Sequence, residues 1–253
     1  MTRGFIRCLW GAGESYATED FLKKIEQSDL PYDRIIKSMI RRDKIDKDIS
    51  HCIREKLMEP FVTYVFGKDN FDYIKSLNLE CELIDEDPYV YQNSRHKLEA
   101  LKYAMQDFDE IVFMDWDTKP CKKMDENFWN ILNKKGVIQS SLWHFRTPKI
   151  NYRENYMDNK NIPAGAFIYI RDKTIPCKLI DAWSELGNKW SPEPSLAKVT
   201  DDMMGKWKDI YEYWKLYEPE VYHTKCSPYK RLDDYTKDKE NIYFLNRGHS
   251  WRY

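Results

Sequence analysis

The residues best suited to chemistry in this chain are two aspartates one residue apart, Asp115 and Asp117, on either side of Trp116. They follow four apolar residues, Ile111 to Met114, bounded by Asp109-Glu110 before and Thr118-Lys119-Pro120 after. A short apolar run with polar ends predicts a strand buried on both faces, with both carboxylates at its carboxyl end. In open α/β sheets that edge is where ligands bind. Hard divalent cations such as Mg2+ and Mn2+ take oxygen ligands, and Mg2+ is commonly held by one or two carboxylates plus substrate phosphates. The stretch therefore reads as a site for a metal and a diphosphate. Acidic turns that merely cap a strand share the pattern. The buried strand before it, and Pro120 stopping the chain after it, are what favour the functional reading.

Other residues could join it. Asn93 to Met105 has helical spacing, with Leu98, Leu101 and Met105 on one face and Asn93 or Ser94 as N-cap. Arg95, His96 and Lys97 then fall in the first turn. Cations are unfavourable beside the positive helix end, and a bound diphosphate would offset that. Phe5 to Trp10 reads as a first strand ended by Gly11-Ala12-Gly13, and Phe61 to Phe66 as a strand closed by Gly67. Glycine there permits a tight turn and close approach of a ligand to the backbone, although the full GxGxxG fingerprint is absent. Asp201 and Asp202 open a helix-like stretch, 200–207, where capping alone also explains acidic residues. His249 follows an apolar run and Gly248, and the small residues of 161–166 precede a strong strand from Phe167 to Ile170.

The elements that must position these residues alternate. Strands are expected at 5–10, 61–66, 81–84 and 111–114, with helices at 70–77 and 93–105 between them; that order predicts an α/β fold with a mostly parallel sheet. In the second half a helix is expected at 128–132, a strand at 136–143 and a helix at 179–186, with 146–160 as loop. The charged stretch 17–58 reads as helical, its cations Lys37, Arg41, Arg42 and Lys44 forming a solvated face or a basic rim for an anionic ligand. With 253 residues, 42% apolar and 15% aromatic, the chain suits one large α/β domain or two small ones. A formal net charge of −1 offers no global basic field for nucleic acid. The six cysteines are scattered without a CxxC pair, which argues against a zinc ribbon and for reduced thiols. No apolar segment is long enough for a signal peptide or a transmembrane helix. The expectation is a cytoplasmic chain that neither spans a membrane nor binds nucleic acid.

Taken together, Arg95 to Pro120 (a helix start rich in cations, an acidic turn, a buried strand and Asp115-Trp116-Asp117) resembles the GT-A-fold glycosyltransferases that use nucleotide sugars. In element order the resemblance extends from Phe5 to Trp251. It implies a Rossmann-like, mixed but mostly parallel central sheet flanked by helices. It also implies a single domain over 1–253, with a nucleotide-binding half (1–120) and an acceptor-binding half (121–253). The implied activity is metal-dependent transfer of a sugar, from a UDP-sugar by family frequency, to a hydroxyl of a glycan or glycoconjugate. Mn2+ or Mg2+ would be held by Asp115, Asp117 and His249, and the donor by Trp10, Gly11, Gly67, Arg95, Lys97, Asp115 and Trp116. Asp201 or Asp202 would be the catalytic base, and Pro163 to Ala166 would lie beside the sugar. Met114-Asp115-Trp116-Asp117-Thr118 also resembles the motif of haloacid-dehalogenase-like phosphatases, which implies Asp115 as a phosphorylated nucleophile. That motif normally stands on the first strand. A non-enzymatic carbohydrate-binding protein is the third reading.

Overall fold

The computed structural model describes residues 1–9, 53–84, 95–115, 118–133, 138–144, 161–185, 222–224 and 243–246. From β2 onward the first half follows the expected alternation; of the charged stretch 17–58 expected to be helical, residues 17–52 lie outside the described residues. Strand β1 (Arg3–Leu9) is followed by β2 (Phe61–Phe66), helix α1 (Lys68–Ser76), β3 (Cys81–Ile84), α2 (Arg95–Asp107) and β4 (Glu110–Met114). β2, with the sequence FVTYVF, is buried throughout, as its aromatic and β-branched residues require. Gly67 ends it at φ 88°, a left-handed conformation that only glycine adopts freely. Asn78 closes α1 at φ 55°, where asparagine is tolerated, and its N–H donates to the Lys75 carbonyl at 2.9 Å.

The chain continues through β5 (Thr118–Pro120), α3 (Glu126–Asn133), β6 (Ile138–His144), β7 (Asn161–Ile170), α4 (Ile175–Glu185), β8 (Tyr222–Thr224) and β9 (Phe244–Asn246). The main sheet has the order β3-β2-β1-β4-β7-β6. Neighbours among β3, β2, β1 and β4 run parallel, while β7 is antiparallel to both β4 and β6. It is the mixed, mostly parallel α/β sheet that the sequence implies.

Because side chains alternate along a strand, β1, β2, β4 and β7 each feed two cores. Ile6, Val62, Tyr64, Phe113 and Ile168 pack beneath α2 and α4. Phe5, Val112, Met114 and Phe167 pack beneath Phe128, Trp129 and Leu132 of α3. Helices thus cover both faces, the arrangement a parallel sheet needs to keep its apolar strands from water.

Several expectations change. Pro120 does not stop the chain; it ends β5, which pairs with β9 in a second sheet of order β5-β9-β8. β5 lies at that sheet's edge, where a proline's missing N–H leaves no ladder bond unmade. The small residues expected to lead into a strand at 167–170 are themselves in β7. The helix expected at 179–186 starts at Ile175, because Pro176 is tolerated in a first turn. Asp172 receives the Thr174 N–H and hydroxyl just before it, which hold its carboxyl below the usual range. Glu110 is no solvated turn residue. It is 1% exposed, stands opposite Arg3 in the β1–β4 register, and its Oε2 lies 3.3 Å from Arg3 Nε. Burial by itself would lower the Arg3 guanidinium, but Glu126 and Glu110 together raise it. Among the described residues no helix is long and apolar enough to cross a membrane.

Gly4 in β1 has no room for a side chain. A Cβ there would meet the Phe108 ring at 2.7–2.8 Å. Gly4→Ala is therefore expected to lower stability by about 1–3 kcal/mol through overpacking, read as a fall in the urea midpoint. Adding Phe108→Leu should recover part of that loss.

Candidate functional site

The chain leaves β1 for β2 and β3 on one side, then returns to β4 on the other. Strand order therefore reverses between β1 and β4, and at such a reversal the carboxyl ends of the strands open a crevice that binds ligands. Asp115 is the first residue past β4. Ile111 and Phe113 face α2, so alternation turns Asp115 to the same side. Thr118 N–H donates to the Asp115 carbonyl at 2.9 Å.

The first turn of α2 reaches the same point, because the helix begins at the sheet's carboxyl edge. Lys97 Nζ lies 2.9 Å from Asp115 Oδ1. It also donates to the Gly165 carbonyl at 2.7 Å and sits 4.9 Å above the Phe113 ring. Side-chain exposure is 17% for Lys97 and 35% for Asp115, so the carboxylate is the more open partner. Gly165 is available because the β6–β7 ladder breaks. Ser140 pairs with Ile168, but the next residue, Ser141, pairs with Ala164. Three β7 residues, 165–167, leave the β6 register while Phe167 still pairs with Met114 of β4. Such a bulge re-aims backbone groups, here bringing a carbonyl to the lysine. Cys8 is close enough to feel both charges. Burial, opposed by Lys97 and reinforced by Asp115, pushes its thiol up to about 12, so it is a neutral wall rather than a nucleophile.

Arg95, two residues before Lys97, goes elsewhere. Its Nε pairs with Glu99 Oε1 at 2.9 Å, Nη1 donates to Ser184 Oγ at 3.3 Å, and the guanidinium lies 5.6 Å from the Trp183 ring. It joins α2 to α4. Gly67 lies at the end of β2, beyond β1 from Asp115, and its carbonyl accepts the first helical bond of α1, from Phe71. Asn70 is fully buried and donates to the Phe66 carbonyl at 3.1 Å, which fixes that strand end. Trp10, Gly11, Trp116, Asp117, Asp201, Asp202 and His249 lie outside the described residues. Among the described residues no three of His, Cys, Asp and Glu form a metal-binding cluster. The reading of the sequence missed the Gly165 carbonyl. Its only signal was the cluster of small residues, which the resemblance places beside the sugar.

The tail is tied beside this edge. β9 pairs antiparallel with β5, Thr118 opposite Asn246. The Tyr243 hydroxyl donates to Asp125 Oδ1 at 2.8 Å, and the Phe128 N–H donates to the same oxygen at 3.0 Å. Asp125 thus caps α3 and anchors the tail. Burial raises its carboxyl, but these two hydrogen bonds, with Lys122, outweigh that and hold it below the usual range.

No protein-family model matches the chain, and no curated protein does. Several solved structures are similar in fold. Mouse xyloside xylosyltransferase 1, apo form, is 12% identical over 98% of this chain and 97% of its own, with a TM-score of 0.40. The mannosyltransferase Ktr4p from S. cerevisiae is 11% identical over 78% of this chain and 65% of its own, with a TM-score of 0.43. A glycosyltransferase involved in glycosylation of the major capsid of PBCV-1 is 6% identical over 99% of this chain and 94% of its own, at 0.41. All three scores are below 0.5, so the functional reading rests on the chain's own residues.

Two outcomes follow from the geometry. Arg95→Ala leaves the nearly buried Glu99 without its closest cation, and should cost about 2 kcal/mol, seen as a lower thermal midpoint. For Asp125 the sign follows from a depressed carboxyl: its contribution is complete above the ordinary aspartate value near ~3.9 and fades as pH falls through the lower folded value. Asp125→Ala should therefore be about 1 kcal/mol less stable at neutral pH. In parallel urea titrations across pH, that difference should shrink only at the acid end.

Proposed function

We propose that this chain is a metal-dependent glycosyltransferase. It moves a sugar from a nucleoside-diphosphate donor, a UDP-sugar, to a hydroxyl of a glycan or glycoconjugate. The observation that carries the proposal is Asp115, held at the end of a doubly buried strand where strand order reverses, with a lysine turned onto it. A half-open carboxylate in that position is a hard oxygen donor suited to Mn2+ or Mg2+. With Asp117 and His249 the set is two carboxylates and an imidazole. Chain connectivity supports His249, which is three residues past Asn246 and so within about 11 Å of it, while Asn246 pairs beside Thr118.

When bound, the metal supplies positive charge for a diphosphate leaving group. The chain's own part is to bind and orient. Lys97 stands where its ammonium can add to that charge. Trp10 and Gly11, which follow β1 in the chain, Gly67 at the end of β2, and Trp116 hold the nucleotide. Asp201 or Asp202 takes the proton from the acceptor hydroxyl if the reaction inverts configuration.

The test is calorimetry with UDP and Mn2+. The parent should bind UDP far more tightly with Mn2+ than without. Asp117→Ala should abolish the metal-dependent part, and Asp115→Asn should weaken it at least tenfold, the scale of a lost charged contact, with thermal midpoints kept near the parent's. Equal binding in all three proteins would remove the assignment. Release of inorganic phosphate from phosphomonoesters, lost in Asp115→Asn, would instead favour the phosphatase.

A further inference from the structure

We propose that Lys97 is a resident counter-cation that competes with the divalent metal for Asp115. It keeps the metal from binding until a nucleoside diphosphate arrives to receive the ammonium. The inference rests on the glycosyltransferase reading, and adds to it an order of binding.

Lys97 Nζ lies at ion-pair distance from Asp115 Oδ1 and at hydrogen-bond distance from the Gly165 carbonyl, two oxygen acceptors on different strands. The Phe113 ring beneath adds a third attraction. Two oxygens converging on one cation resemble the inner environment that a hard metal would seek. The lysine therefore satisfies, before any ligand binds, part of what a metal would satisfy once bound. A divalent ion placed on Asp115 adds two positive charges within a few ångströms of the ammonium. That repulsion penalises the metal alone. A diphosphate reverses the sign, because its oxygens accept both cations. Lys97 can follow the phosphate, since its long stem swings the head while the helix stays packed. Metal and nucleotide then bind with positive coupling, and by linkage each raises the other's affinity by the same factor.

Lys97→Met keeps the stem and removes the charge. Lys97→Gln keeps a neutral donor, and Lys97→Arg keeps the charge. The measurement is Mn2+ affinity by calorimetry, without nucleotide and with saturating UDP, with the melting temperature of each apo protein as a check of folding. Without UDP, the Met and Gln variants should bind Mn2+ about fivefold more tightly than the parent, the scale of one partly screened ion pair, and the Arg variant like the parent. With UDP, the order should reverse for Met and Gln, which lack the phosphate contact. A purely structural lysine would weaken both measurements together. Weaker or unchanged Mn2+ binding without UDP in Lys97→Met and Lys97→Gln would overturn the proposal. If the parent itself shows no Mn2+-dependent UDP binding, the glycosyltransferase reading fails first, and the two failures are told apart by that control.

Discussion

Everything near the site depends on the confinement of β4. From Glu110 to Met114 every residue is buried, β1 occupies one edge in parallel register, and β7 occupies the other in antiparallel register. A slip of one residue would turn each apolar side chain to the wrong face, so the strand has one place to end. Asp115 inherits both its position and its direction from that. The antiparallel sense of β7 matters equally. It brings the early part of β7, not its end, to the carboxyl edge, with Phe167 beside Met114. The break in the β6–β7 ladder then falls where Gly165 can meet Lys97.

The same helix serves two purposes by geometry alone. Residues two apart on an α-helix point about 200° from each other. Arg95 and Lys97 therefore cannot share a ligand face easily, and the structure divides them. Arg95 pairs with Glu99 one turn on and lies against Trp183 of α4, whereas Lys97 meets the end of β4. One cation fixes the helix on the sheet, and the other uses that fixed position.

Charge is also divided between the two edges of the main sheet. At the amino edge Arg3 lies between buried Glu110 and exposed Glu126, a network whose consequence is stability. Glu110 is tolerable there only because a cation is beside it, since an uncompensated buried carboxylate is among the more costly features a fold can carry. At the carboxyl edge the Lys97–Asp115 pair is partly open to solvent, so the cost of exchanging partners is small. An ion pair that must rearrange belongs at that edge and not at the other.

The sequence by itself determined the alternation of strands and helices through β4, the strand 61–66 to the residue, and the position of Asp115 past a buried run. These follow from local patterns: β-branched and aromatic runs, helical spacing, and glycine where β2 ends. It also singled out Lys97, though for a helix-end argument that applied equally to Arg95. Only the tertiary structure decided between them, because which face of α2 meets β4 depends on α4, eighty residues later. The antiparallel β7, the ladder break at 165–167, the burial of Glu110 and the second sheet of β5, β9 and β8 are likewise non-local. Each depends on which distant segment lies alongside, and a three-residue strand such as β5 has no periodicity of its own to read. The Gly165 carbonyl shows the limit most directly. A backbone oxygen carries no residue type, so its part in the site appears only when the chain is folded.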